Sequence, residues 1–164
     1  VEVPEAQLVG KEGWGFAQAM GFLGTGRLHI AAGAVGVAQF LLDLGVDYAK
    51  QRQSFGRPIA ANQAIQWMLA DSATEIYAAR NMVYHAAWLL DQGKDATREM
   101  SMAKLYATEM VNKVCDRVLQ IHGGMGWMKE TRTEGFYRSL RVLRIVEGTS
   151  EIQRMMIARS LLGG

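Results

Sequence analysis

A lone cysteine, Cys115, leaves the 164-residue chain without an internal disulfide, which fits a reducing compartment and excludes a disulfide-stapled scaffold. Two prolines, with apolar and charged fractions near those of globular domains, exclude bulk disorder and collagen-like repetition. The three histidines, His29, His85 and His122, are scattered too widely for metal-ligand spacing. Each reads as a structural or surface residue, and no metal is expected. There is no block of Lys or Arg, and 18 basic against 16 acidic residues leave a net charge of +2. That near-balance argues against a nucleic-acid footprint. No basic-then-apolar leader opens the sequence, and the start at Val1 reads as a cut. The longest uncharged run, Leu28 to Leu42, has 15 residues and is interrupted by His29 and Gln39. A membrane-spanning helix needs roughly 18 to 20 apolar residues, so this run reads as a buried helix in a soluble protein with no membrane span.

What the chain does contain is helix periodicity. From Asn62 to Leu90 the residues Ile65, Leu69, Ser72, Ile76, Ala79, Val83, Ala86 and Leu90 recur at alternating spacings of four and three. That spacing predicts the seam of a long packed helix, ended by Asp91-Gln92-Gly93. Ala103, Ala107, Met110, Val114, Val118 and Ile121 predict a second helix, closed by Gly123-Gly124. Gly13 to Lys50 predicts a third, with a soft spot at Gly21-Gly24-Gly26 and small residues from Ala31 to Gly36 that admit a close neighbour. Ser150 to Leu162 predicts a last helix ending at Gly163-Gly164, with Ser150 and Gln153 as an S-x-x-Q capping box. Apart from a strand remnant at Val1 to Val3, no strands are expected. The fold class is all-α, an up-and-down bundle of long antiparallel helices.

The unusual chemistry sits in three connections. Gln51 to Ile59 combines Arg52, Arg57, Ser54, Phe55 and Gly56. A guanidinium fork suits a pyrophosphate and an aromatic can stack on a flat ring, although a plain helix connection would also use these residues. Asn62 and Gln63 add amides beside the same turn. Gln120 to Trp127 holds three glycines in four positions, Gly123, Gly124 and Gly126, which expose backbone N–H groups or simply cap a helix. A P-loop is excluded, because no lysine and helix start follow. Arg144 to Gln153 places Glu147 beside Val146 and Gly148, just upstream of the last helix. A carboxylate in an apolar pocket is a candidate general base; the helix N-terminus pulls toward the charged form, and a plain acidic residue near a helix start is the other reading.

Taken together these segments resemble the C-terminal helical domain of the acyl-CoA dehydrogenase family. The resemblance is carried in order by Gly26-Arg27 with Ala31 to Gly36, Arg52-x-x-Phe55-Gly56, Asn62-Gln63, Gln120-x-x-Gly123-Gly124-x-Gly126, and Glu147-Gly148-Thr149-Ser150-Glu151-Ile152-Gln153. Leu8 to Phe16 resembles the passage into this domain from a preceding β-domain. Residues 1–12 are therefore expected to be a remnant of that domain and its linker, and residues 13–164 the helical bundle, so the chain reads as a fragment.

The resemblance implies that Glu147 removes the α-proton of an acyl-CoA thioester while the β-hydrogen leaves as hydride to the N5 of FAD. It implies Gly148 at the thioester, and Arg27 near the CoA entrance. Arg52, Gln53, Ser54, Asn62, Gln63, Gln120 and Gly124 would touch the FAD of a neighbouring subunit, and Thr149 and Glu151 the cofactor at the chain's own site. It further implies a homo-oligomer (a dimer or a dimer of dimers), with reoxidation by electron-transferring flavoprotein, in bacterial cytoplasm or mitochondrial matrix. Two positions depart from the pattern. Gly24 stands where an acidic or amide residue is common, and Val146 where a tyrosine is common. The alternatives are an acyl-CoA oxidase, a flavin monooxygenase of the same fold (a class that generally lacks the glutamate), and a non-catalytic helical oligomerisation domain.

Overall fold

The computed structural model describes residues 2–163. Helix α1 (Gly15–Gln51) is followed by a hairpin of two-residue strands, β1 (Gln53–Ser54) and β2 (Arg57–Pro58). Then come α2 (Gln63–Asp91), α3 (Thr97–His122), the short α4 (Arg132–Ser139) and α5 (Ser150–Leu162). The all-α bundle is as expected. Three boundaries of the sequence reading hold closely: α2 starts one residue after Asn62, Gly93 adopts φ +65° at its end, and Gly123 adopts φ +58° after α3.

Four expectations are corrected. Glu2 and Val3 form no strand, and Val1 lies outside the described residues, as does Gly164. The Gly21-Gly24-Gly26 soft spot does not interrupt α1, which runs unbroken through it. The connection after α1 is a β-hairpin rather than plain loop: Gln53 pairs with Pro58 and Ser54 with Arg57. Its turn places Phe55 at φ +49° and Gly56 at φ +77°, the two left-handed positions that a tight hairpin turn requires. Finally, the cap of α5 is Thr149, whose hydroxyl accepts from Ile152 N; Ser150 instead donates to Glu109 and Gln153 turns back onto the preceding loop.

Helix α3 is the centre of the bundle, because two of its faces are buried. Ala103, Ala107, Met110, Val114 and Val118 pack with Ala31, Ala34, Ala38, Leu41 and Leu42 of α1 and with Ile76, Ala79 and Val83 of α2. Small residues let α1 and α3 close tightly. A Cβ on Gly45 would lie 3.2 Å from Val118 Cγ2. Among the described residues α1 is the one helix long and apolar enough to cross a membrane by length and composition, and 39% of its apolar window is buried in the bundle. Cys115 lies in the same core, 1% exposed, and burial pushes its thiol up to about 12. The thiolate is the reactive form, so Cys115 is expected to resist an alkylating reagent at pH 8 in the folded protein and to react on denaturation, read by mass spectrometry.

Candidate active site

Glu147 closes the turn between the 3₁₀ segment Leu140–Arg144 and α5. It adopts φ +55° and Gly148 follows at φ +87°, so two consecutive residues are left-handed. For a residue with a Cβ this conformation costs about 1–2 kcal/mol, and it persists only where the surroundings enforce it. Here two fully buried side chains do so. Gln153 Nε2 of α5 donates to the carbonyls of Glu147 (3.1 Å) and Gly148 (3.0 Å). Lys104 Nζ of α3 donates to the Gly148 carbonyl at 2.8 Å. Gly148 itself has no space for a side chain, since a Cβ would stand 2.8 Å from Gln153 Nε2.

The turn aims the Glu147 carboxylate at α1. A Cβ on Gly26 would lie 2.7 Å from Glu147 Oε2, so the carboxylate rests against the one residue type that leaves it room. Arg27, the next residue, is 6% exposed. Three buried polar atoms here have no hydrogen-bond partner: Arg27 Nε, Glu147 Oε2 and Gln153 Oε1. Buried polar atoms are almost always paired, so three orphans from the α1 wall, the Glu147 turn and α5 are exceptions to that rule. Lys104 escaped the sequence reading, and Gln153 was read there only as part of a helix cap and motif, without its bonds to the Glu147 turn. The available signal was a lysine on the line Ser101, Lys104, Thr108, Val111, Cys115, all buried on the second face of α3.

Behind this turn a polar network ties α3 to α5. Glu109 pairs with Arg144 and accepts from Ser150 Oγ at 2.7 Å. Burial pushes the Glu109 carboxyl up, but the bonds from Arg144 and Ser150 outweigh it and hold the group below its ordinary value of 4.5. A depressed carboxylate contributes stability above its unfolded pKa and loses it as pH falls through the folded one. A partly buried, hydrogen-bonded pair is worth about 1 kcal/mol, or roughly 2–4 °C in Tm for a domain of this size. Glu109→Gln should therefore melt about that much lower at pH 7, with the gap closing by differential scanning fluorimetry as the pH is taken below the ordinary carboxylate value of 4.5.

A second hollow of about 620 Å³ lies across the bundle, between the hairpin and the glycine turn after α3. Tyr48, Arg52, Ser54, His122, Gly123 and Gly124 are among its walls. His122 is structural, as expected: its ring stacks on Tyr48 with centroids 4.2 Å apart, and Nδ1 lies 2.7 Å from the Val118 carbonyl. Each glycine of the turn has its own duty. Gly123 takes the left-handed bend, Gly124 lines the hollow, and Gly126 packs where a Cβ would stand 2.6 Å from the Leu119 carbonyl.

Of the residues expected to bind cofactor, the hollow gathers Arg52, Ser54 and Gly124. Gln53, Gln63 and Gln120 are exposed and do not line it, and Asn62 accepts from Arg57 at 3.3 Å. Thr149 and Glu151 line a separate small hollow with Glu109, Arg141 and Arg144. Among the described residues no three His, Cys, Asp or Glu side chains gather as metal ligands.

Residues 13–162 match the family described as acyl-CoA dehydrogenase, C-terminal domain. An acyl-CoA dehydrogenase of Bacillus subtilis is 53% identical over 163 residues, which are 99% of this chain and 43% of that protein. A subunit of the caffeyl-CoA reductase–Etf complex of Acetobacterium woodii is 49% identical over 162 residues, again 99% of this chain and 43% of the other. The solved butyryl-CoA dehydrogenase of Megasphaera elsdenii superposes with a TM-score of 0.94 at 39% identity, covering 98% of this chain and 42% of that one. The chain thus spans about two fifths of the length of these relatives. Fold, motif order and overall likeness agree, and the chain belongs to the acyl-CoA dehydrogenase family, whose C-terminal helical domain it matches.

Proposed function

We propose that this domain supplies the base and one wall of the acyl pocket for FAD-dependent α,β-dehydrogenation of an acyl-CoA thioester. The observation that carries the reading is the Glu147 carboxylate, held by a left-handed turn against Gly26, with Oε2 buried and unpaired. A carboxylate oxygen that receives no hydrogen bond is free to accept a proton from carbon. Glu147 takes the α-hydrogen made acidic by the thioester carbonyl, Gly148 lies along the thioester, and the Arg27 guanidinium at the pocket wall faces the entering CoA.

The donors present fit a flavin dinucleotide. The groove of Arg52, Ser54 and Gly124 offers a guanidinium fork and a hydroxyl beside an open backbone, the chemistry a pyrophosphate takes. Gln53, Asn62, Gln63 and Gln120 border that groove's loops and complete the set proposed for a neighbouring subunit's FAD, whereas Thr149 and Glu151 serve the cofactor at Glu147. The groove of Arg52, Ser54 and Gly124 lies apart from the Glu147 turn, and a homo-oligomer, a dimer or a dimer of dimers, would let it serve a neighbouring subunit's cofactor. When bound, the flavin supplies an acceptor for the hydride leaving Cβ. Electron-transferring flavoprotein as the redox partner draws support from the Etf complex named for the Acetobacterium relative.

A reductive reading has its own support, because that same relative is named a reductase. The roles then reverse: protonated Glu147 returns its proton to Cα as hydride arrives at Cβ. Anaerobic mixing of the native protein with a panel of acyl-CoAs tests the main reading. Loss of the oxidised-flavin absorbance with one acyl class supports it. A protein that stays oxidised with all saturated thioesters, yet is reoxidised from its reduced form by an enoyl-CoA, favours the reductase. The isolated 164-residue chain supplied with FAD is expected to oxidise no acyl-CoA, since the relatives use more than twice its length.

A further inference from the structure

Lys104 is the largest fully buried side chain of the described residues. Burying an ammonium group is expensive, and its single hydrogen bond, to the Gly148 carbonyl, leaves two N–H donors of the head group unused. Burial first and the nearby Arg27 second depress its pKa, while Glu109, Glu147 and Glu151 pull the other way. A methionine would fill the same space in α3 without that desolvation, so packing does not explain the residue. Its contact does. Lys104 reaches across 44 positions to the carbonyl that follows the Glu147–Gly148 peptide, where it joins Gln153 in holding a strained pair of residues.

We propose that Lys104 is a positioning residue for Glu147: from α3 it anchors the Gly148 carbonyl, fixing the left-handed pair so that the carboxylate stays against Gly26 in line with the α-hydrogen. The proposal rests on the reading of Glu147 as the base. A cation suits the task for two reasons. Charge-assisted hydrogen bonds are about twice as strong as neutral ones, which a strained turn needs. The same ammonium attracts the Glu147 carboxylate without bonding to it, so the turn is steadied and the oxygen stays free. Gln153 alone has the amide N–H to hold both carbonyls, but its bonds are 3.1 and 3.0 Å against 2.8 Å for Lys104.

The test uses the native flavin-loaded protein with the acyl class that bleaches it, comparing Lys104→Met, Lys104→Gln and Lys104→Arg. A base displaced by about 1 Å costs on the order of 100-fold in rate. Lys104→Met should lower kcat roughly 10- to 100-fold with KM changed less than about threefold. The isotope effect on kcat with α-deuterated substrate should rise, because α-proton removal becomes slower than the other steps. Lys104→Arg, which keeps a charged donor, should recover part of the rate. Flavin content and Tm are measured beside each variant. If Lys104→Met does not fold, Lys104→Gln carries the test, with the same isotope signature expected. Unchanged kcat, or a loss shared by kcat and KM with an unchanged isotope effect, overturns the proposal. Wild-type protein that never bleaches would instead overturn the function itself, so the two failures are distinguishable.

Discussion

Replacing Glu147 by Gln is expected to cut acyl-CoA-dependent flavin reduction by about 1,000-fold or more, the upper range of general-base contributions. The substitution keeps shape and volume but replaces the basic carboxylate by a neutral carboxamide too weakly basic to take the proton. Glu147 projects toward α1 from outside the bundle core, so folding and cofactor content should stay near wild type, and circular dichroism and the flavin spectrum check both. Glu147→Asp separates chemistry from geometry. It keeps a carboxylate but withdraws it by one methylene, and should retain more rate than Gln while falling well below wild type. Rapid-mixing absorbance measures all three. A Gln variant that reduces flavin at the wild-type rate would remove Glu147 from the chemistry.

The second large effect is expected at Gly26→Ala, where stability and activity should part company. The position lies inside α1, where Ala is favoured over Gly by about 0.5–1 kcal/mol. The new methyl would stand 2.7 Å from Glu147 Oε2, at the far end of a flexible side chain that can swing aside cheaply. Tm is therefore expected to hold or rise by roughly 2–4 °C per kcal/mol gained. The carboxylate, however, leaves its attitude toward the substrate, and turnover should fall on the order of 100-fold. Paired thermal melts and stopped-flow traces decide it. A parallel loss of Tm and rate would point to a packing defect in α1; unchanged turnover would mean the contact at Gly26 does not aim the base.

The long helices were legible because their seams repeat without interruption. Ser72, Ile76, Ala79, Val83 and Ala86 of α2 are all buried, as are Ala103 through Ile121 on the expected stripe of α3. The chemistry-bearing turns were legible as motifs but not as shapes. Phe55 takes a left-handed conformation that its residue type disfavours, so the two-residue strands around it carry no pattern a sequence can announce. Helix α4 is eight residues long with Thr133 its one fully buried member, too little for a period. The S-x-x-Q spacing pointed to Ser150 as the cap. The choice fell to Thr149 because Ser150 is needed by Glu109 of α3, a contact 41 residues away. Lys104 was hidden for the opposite reason: a lysine in a helix reads as solvated, and only the tertiary fold brings Gly148 over it.

The most direct test of the central claim follows the α-hydrogen itself. An acyl-CoA of the active class, with a β-carbon that bears no hydrogen, can lose and regain its α-proton but cannot proceed to hydride loss. Incubated in deuterium oxide with the native protein, it should acquire deuterium at Cα by mass spectrometry, and the Glu147→Gln protein should slow that incorporation by about 1,000-fold. Equal incorporation with both proteins would contradict the proposal that Glu147 is the base.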